Sequence, residues 1–284
     1  MYGLGCEVKK NWYFPYFILS CLGVVLVCCL SEGYISDSGK TYTIMEIMFL
    51  ERDVMLTDIS FNRFNMWKQG IGMWTQMALP FLLSIGYMNI ISLENKMEVI
   101  RMQLIRENNC KYAFSKMLAI MINGGVIMLM GYVLFGVLMC VRFPSIDEYA
   151  MANQSVYIEM SMKFADVLDS VRFCSRVLLY GVCVNIFAYA VSIFFRDKYV
   201  LMCLPVMLKY IWGQVILKVE LDAMNDGNSK LLNVCSVFRI ENILNMEQPY
   251  SWLITLCAIL GIYLCLFFVM MILLQKREER IGFE

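Results

Sequence analysis

Six apolar runs divide the chain, and polar stretches of very unequal length separate them. The first, Trp12–Leu30, holds 19 residues without a charge, enough for a helix to cross the hydrocarbon core of a bilayer. Trp12, Tyr13, Phe14 and Tyr16 crowd its start, the position of an interfacial aromatic belt. The run is too long for a leader's apolar region and lacks a small-x-small exit, so it reads as a retained span. Further runs lie at Ile71–Ser92, Met117–Cys140, Arg176–Phe195, Tyr199–Leu217 and Ser251–Leu274. The pattern predicts one membrane domain over 1–284, with six helical spans at about 12–30, 71–92, 117–140, 176–195, 199–217 and 251–274.

The polar stretches set the organisation. Residues 31–69 include Ile44, Ile47, Met48, Met55 and Ile59 beside Phe49 and Phe61, which predicts a short amphipathic helix on the surface. In Leu93–Lys116, Leu93, Met97, Ile100 and Leu104 fall at i, i+4, i+7 and i+11. This is one apolar stripe on a segment otherwise rich in charge; it reads either as a helix lying flat at a membrane surface or as an ordinary solvated loop. Glu107-Asn108-Asn109 predicts a turn before the third span. Val141–Ser170 carries the triplet Asn153-Gln154-Ser155, a glycosylation sequon only in a glycosylating host. Lys218–Tyr250 is mixed, with a turn-like Asn225-Asp226-Gly227-Asn228, and the tail after Leu274 is charged.

An even number of spans puts both termini on one side. With the termini inside, segments 1–11, 93–116, 196–198 and 275–284 hold twelve basic and eight acidic residues, and the remaining polar segments are net negative. The excess of Lys and Arg places both ends in the cytoplasm.

Composition agrees with a lipid environment: 60% hydrophobic, 17% charged, mean hydropathy +0.62, against about 45–50% and about 25% in soluble domains. Net charge is zero, which argues against a nucleic-acid partner. The chain has no histidine, so His-ligated metals, Ser–His or Cys–His nucleophiles and His proton relays are excluded. The twelve cysteines form no C-x-x-C pair, and those in apolar runs read as small buried hydrophobes. Gly33 and Gly39-Lys40-Thr41 mimic a phosphate loop, but five residues separate the glycines where the motif has four. No catalytic or metal-ligating set is expected.

Lys209 falls near the middle of the fifth span, four residues after Pro205. A lysine there costs about 2.5–3.5 kcal/mol to insert unless it faces a bundle interior or water. It therefore reads either as a group on a substrate route or subunit contact, or as a structurally paired or snorkelling lysine. Gln76, Asn123 and Asn185 read either as hydrogen-bond partners between helices or as polar positions on a transport path or interface.

The whole pattern resembles the permease subunits of ABC-2-type ATP-binding-cassette transporters. The resemblance rests on a short N-terminal segment before span one, a long first outside loop and six spans with both ends inside. It rests above all on the acidic-then-basic stretch after span two. There Glu94 and Glu98 precede Arg101, Leu104-Ile105-Arg106 and the closing Tyr112 to Lys116, with Ile100-Arg101 where family members often have Gly-Thr. The resemblance implies a coupling helix that meets the ATPase through Glu94, Glu98, Arg101, Arg106 and Lys116, with a second cytoplasmic turn at Arg196-Asp197-Lys198. It implies an all-α fold and a partner ATPase holding ATP and magnesium, this chain having no nucleotide-binding domain. It also implies a second permease copy or sister permease, surrounding lipid and a bacterial plasma membrane. The cargo class would be peptide, drug or lipid, antimicrobial-peptide export or immunity included. A polytopic membrane enzyme and a stand-alone carrier are the alternatives; the spans hold neither paired carboxylates for an aspartyl mechanism nor acidic residues for ion coupling.

Overall fold

A computed structural model of the chain describes residues 15–35, 39–96, 109–145, 148, 160–195, 197–226, 229–244 and 251–281. Among the described residues, four stretches of helix are long and apolar enough to cross a membrane: α6 (Asn109–Arg142), the α7–α8 pair (Met160–Val184 and Ile186–Phe194), α9 (Lys198–Asn225) and α11 (Ser251–Ile281). Two more apolar helices, α1 (Pro15–Cys29) and α5 (Met73–Lys96), complete the bundle. α1 packs on α5 and α6, α5 on α9, α6 on α7, and α11 along α6.

In lipid, apolar burial does not draw helices together, because the tails are as apolar as leucine; close packing and hydrogen bonds must do it. Glycines supply that closeness. A Cβ on Gly131 would stand 2.7 Å from Val24, and one on Gly181 would stand 2.7 Å from the Gly124 carbonyl oxygen. α6 thus meets α1 and α7 almost backbone to backbone. Tyr132, Tyr180, Tyr189 and Tyr263 are fully buried, and each hydroxyl has a partner. Tyr263, for example, donates to the Val182 carbonyl at 2.7 Å.

The first polar stretch is more structured than a single amphipathic helix. It forms an antiparallel hairpin, β1 (Glu32–Ile35) with β2 (Thr41–Thr43), so the fold is all-α apart from this ribbon. Gly39 takes the left-handed φ of 77°, which favours glycine. Three short helices follow, α2 (Ile44–Met48), α3 (Arg52–Met55) and α4 (Arg63–Gln69). Thr43 opens α2 with a capping box: its hydroxyl accepts from Glu46 N at 3.2 Å, and Glu46 Oε2 accepts from Thr43 N at 2.8 Å. Ile44 and Ile47 are buried, and Gly33 lets the hairpin lie against them. At the far end of α6, Arg142 donates to the carbonyls of Met48 and Leu50 at 2.6 and 2.8 Å. This is the hairpin end of the bundle.

Several helix boundaries move from where hydropathy put them. Asn109, the last residue of the turn predicted at 107–109, is already in α6, and the other two lie outside the described residues. α7 begins at Met160, before the predicted start at Arg176, and α9 runs on to Asn225 rather than stopping near Leu217. Hydropathy marks where lipid meets a helix, whereas the backbone ladder continues while side chains tolerate it. Pro205 does not open α9; the helix continues through it. Glu98, Arg101, Arg106, Arg196 and the triplet at 153–155 lie outside the described residues.

Candidate functional site

α9 lies antiparallel to α5. Ser84 Oγ donates to the Met202 carbonyl at 3.1 Å, and further toward the hairpin end Lys209 Nζ donates to the Gln76 carbonyl at 2.5 Å. Lys209 is 8% exposed. Its ammonium also donates to Tyr180 Oη at 2.9 Å and stands 3.5 Å from Glu241 Oε1. Three acceptors from three elements therefore satisfy the three donors of the ammonium. Tyr180 comes from α7, with its ring centroid 5.4 Å from Nζ. Of Gln76, one of the predicted polar positions, the backbone carbonyl does the work.

Glu241 is the residue that sequence reasoning missed. It belongs to 218–250, expected as a polar loop beyond the membrane. Instead, α10 (Ser229–Val237) folds back along α9, and a 3-10 turn, Ile240–Ile243, enters the bundle against α7 and α11. Ile240 and Ile243 are buried and carry Glu241 between them to the level of Lys209. Two further ties hold the segment: Arg239 Nη2 is 3.5 Å from Glu220 Oε2, and Trp212 Nε1 donates to the Phe238 carbonyl at 3.1 Å. Glu220 is itself buried on α9. The alternation Arg239-Ile240-Glu241-Asn242-Ile243 was a readable hint, since an apolar pair spaced by three can anchor one turn.

The Lys209 pair is asymmetric. The lysine side chain is 9% exposed and the glutamate 37%, so the glutamate is the more exposed member of the pair. A separate open cleft of about 450 Å³ lies between α1, α5 and α9. Its walls are Val27 of α1, Ala78, Phe81 and Leu82 of α5, and Cys203, Val206 and Met207 of α9. All are apolar.

The other predicted polar residues are split. Asn185, at the α7–α8 junction, donates from Nδ2 to the Ile120 carbonyl of α6 at 3.0 Å. Asn123 is 1% exposed, and neither side-chain atom has a partner, nor has Asn185 Oδ1. The expectation of an interhelical bond thus holds for Asn185 and fails for Asn123. Of the residues assigned to coupling, Glu94 lies in the last turn of α5. Lys116 is buried in α6, 6% exposed, with Nζ 5.7 Å from the centroid of the Tyr112 ring. Lys116 thus lies in the body of the spanning helix α6. Lys198, half-buried at the start of α9, lies over the Tyr199 ring at 4.8 Å. Among the described residues, no cluster of acidic or cysteine side chains has metal-ligating geometry.

The fold defines an α-helical membrane protein. No family model, curated protein or solved structure matches the chain.

Proposed function

We propose that the chain is the membrane-spanning permease subunit of an ATP-binding-cassette transporter, exporting a peptide, drug or lipid and driven by a separate ATPase. The six apolar helices act as six spans of one domain, with both termini on the cytoplasmic side of a bacterial plasma membrane. One observation supports this reading best. α5 ends at Lys96 and α6 begins at Asn109, and the charged run bearing Glu94, Glu98, Arg101 and Arg106 joins them at the end opposite the hairpin. α5 packs on α1 and α9, and α6 on α1, α7 and α11, so this one connection touches the two helices against which most of the bundle rests. A partner that moves it moves both, and packed cores answer such a push by switching between discrete arrangements. Lys198, at the start of α9, supplies the second contact.

The test is charge reversal, Glu98→Arg with Arg101→Glu, in the chain co-expressed with a candidate ATP-binding-cassette ATPase from the same genome. The expected result is loss of ATPase co-purification, or hydrolysis uncoupled from transport, with the purified chain as stable as wild type. Alanine substitutions on the exposed face of α10 leave capture unchanged. Capture and coupling equal to wild type in the double reversal would remove the permease reading's local support.

A further inference from the structure

We propose that the link between α2 and α3 is an interfacial anchor. Phe49 and Leu50 sink into the lipid leaflet at the hairpin end of the bundle, while Arg142 holds their backbone at the level of the headgroups. The proposal goes beyond the permease reading and does not rest on it, since a lipid contact needs only that the helices span a bilayer.

Height is the first argument. α1 and α6 run parallel: Cys21 Sγ lies 3.9 Å from the Ile127 carbonyl oxygen, and further along both helices Gly131 faces Val24. By that register Leu30, the end of the first uncharged run, is level with Val137. Arg142 stands five residues further along α6, about 7.5 Å at the helical rise. The headgroup layer on each side of the hydrocarbon is about 5–7.5 Å thick, so Arg142 is at headgroup height. It brings the link with it. Nε donates to the Met48 carbonyl at 2.6 Å and Nη2 to the Leu50 carbonyl at 2.8 Å, one on either side of Phe49.

Continuity with the lipid-facing surface is the second. Val133, Leu134, Val137, Leu138 and Val141 form one exposed stripe at helical spacing on α6, and a bilayer covers such a face. The stripe ends at Val141, 81% exposed, beside the arginine whose bonds bracket Phe49, 79% exposed. The apolar surface therefore passes from the spanning helix onto the link, and what covers the one covers the other.

The backbone fits the same place. Away from bulk water an unpaired peptide group is costly. Phe49 N donates to the Glu46 carbonyl at 3.2 Å and Leu50 N to the Ile47 carbonyl at 3.0 Å, while Arg142 supplies donors for the carbonyls of Met48 and Leu50. Exposed charges follow at Glu51, Arg52 and Asp53. They limit insertion to the two apolar residues, a shallow hold of the kind interfacial segments make.

The experiment uses the full-length chain in a cysteine-free background, reconstituted in vesicles of phosphatidylcholine and phosphatidylglycerol, with a nitroxide on Phe49→Cys. Val137→Cys is the lipid reference, and Lys40→Cys, exposed at the hairpin turn, is the water reference. Collisions with oxygen, which concentrates in hydrocarbon, are compared with collisions with a nickel chelate, which stays in water. The oxygen-to-nickel ratio at position 49 is expected to exceed that at 40 by about threefold and to stay below that at 137, as for a residue at the headgroup–acyl boundary. Arg142→Gln is expected to lower it to the value at 40, with helicity unchanged. A ratio at 49 equal to that at 40 without the Arg142 change would overturn the anchor and leave a solvated link. Little collision with either reagent would overturn it in favour of a protein contact, a second copy of the chain included. A ratio indifferent to Arg142→Gln would remove the arginine's part. Should the cysteine-free chain misfold, Phe49→Trp in the otherwise native chain decides. Lipid brominated high on its acyl chains should quench the added emission, and quenching by aqueous acrylamide alone would refute the insertion.

Discussion

A glycine's value in this bundle depends on what faces it. A Cβ at Gly124 would lie 1.5 Å from Asn185 Nδ2, so Gly124→Ala must displace the amide that donates to the Ile120 carbonyl. The expected cost is about 1–3 kcal/mol from overpacking, read as unfolding in detergent. Adding Asn185→Ala recovers most of it, a coupling that a double-mutant cycle measures. Gly213 and Gly261 face open space; alanine there is neutral or stabilises by up to about 1 kcal/mol, since glycine is the costlier helix residue. If all three behave alike, the close α6–α7 approach is wrong. Lys209 obeys the same logic of neighbours. Glu241→Gln should destabilise by about 1–2 kcal/mol, between an exposed pair and a fully buried one, and Tyr180→Phe by about 1 kcal/mol for its lost hydrogen bond.

Among the elements, α4 shows how a seven-residue helix that would not form alone gains a fixed place. Asn62 caps it, its Oδ1 accepting from Phe64 N at 3.2 Å. Trp67 Nε1 donates to the Tyr132 carbonyl at 3.1 Å while Tyr132 Oη donates to the Trp67 carbonyl at 2.7 Å, with their rings stacked at 5.4 Å. Gly136 leaves the room, since a Cβ there would stand 2.3 Å from the indole. Gly136→Ala should therefore undock α4 and leave the spanning helices folded. Limited proteolysis would then cut within 44–69 faster than in wild type, at unchanged helicity by circular dichroism. An unchanged cutting rate would mean that the Trp67–Tyr132 contact does not fix the segment.

For the whole molecule, the bundle is filled unevenly. In their most apolar stretches 61% of the α7–α8 pair is buried, against 17% of α9 and 11% of α11. The α7–α8 pair is the most enclosed, and α9 and α11 present broad apolar faces, including Tyr210, Ile211 and Val215 on α9 and Leu264, Phe268 and Ile272 on α11. In water such faces would aggregate; in a bilayer they are its ordinary contact. Orientation is tested in a cysteine-free background. Ile35→Cys and Asn228→Cys should react with an impermeant thiol reagent in intact cells, and Arg280→Cys should not. A reactive position 280 would reverse or break the six-span arrangement.

Composition and period alone made the chain a bundle of apolar helices, because unpaired backbone in lipid leaves the helix as the natural form for a long uncharged run. They also singled out Lys209, since a charge inside such a run must be answered by something. What answers it was not legible. Glu241 lies 32 residues further on, in a stretch whose polarity pointed to water, and only the fold-back of α10 and the burial of Ile240 and Ile243 bring its carboxylate to the ammonium. Charge counting likewise grouped Lys116 with the cytoplasmic segment 93–116, yet α6 starts seven residues before it and turns it inward. Hydrophobic period is a local property and reads one helix at a time. Which polar groups meet depends on how far each helix runs past the lipid and on where glycines let two backbones close, and those are decided by the packed molecule.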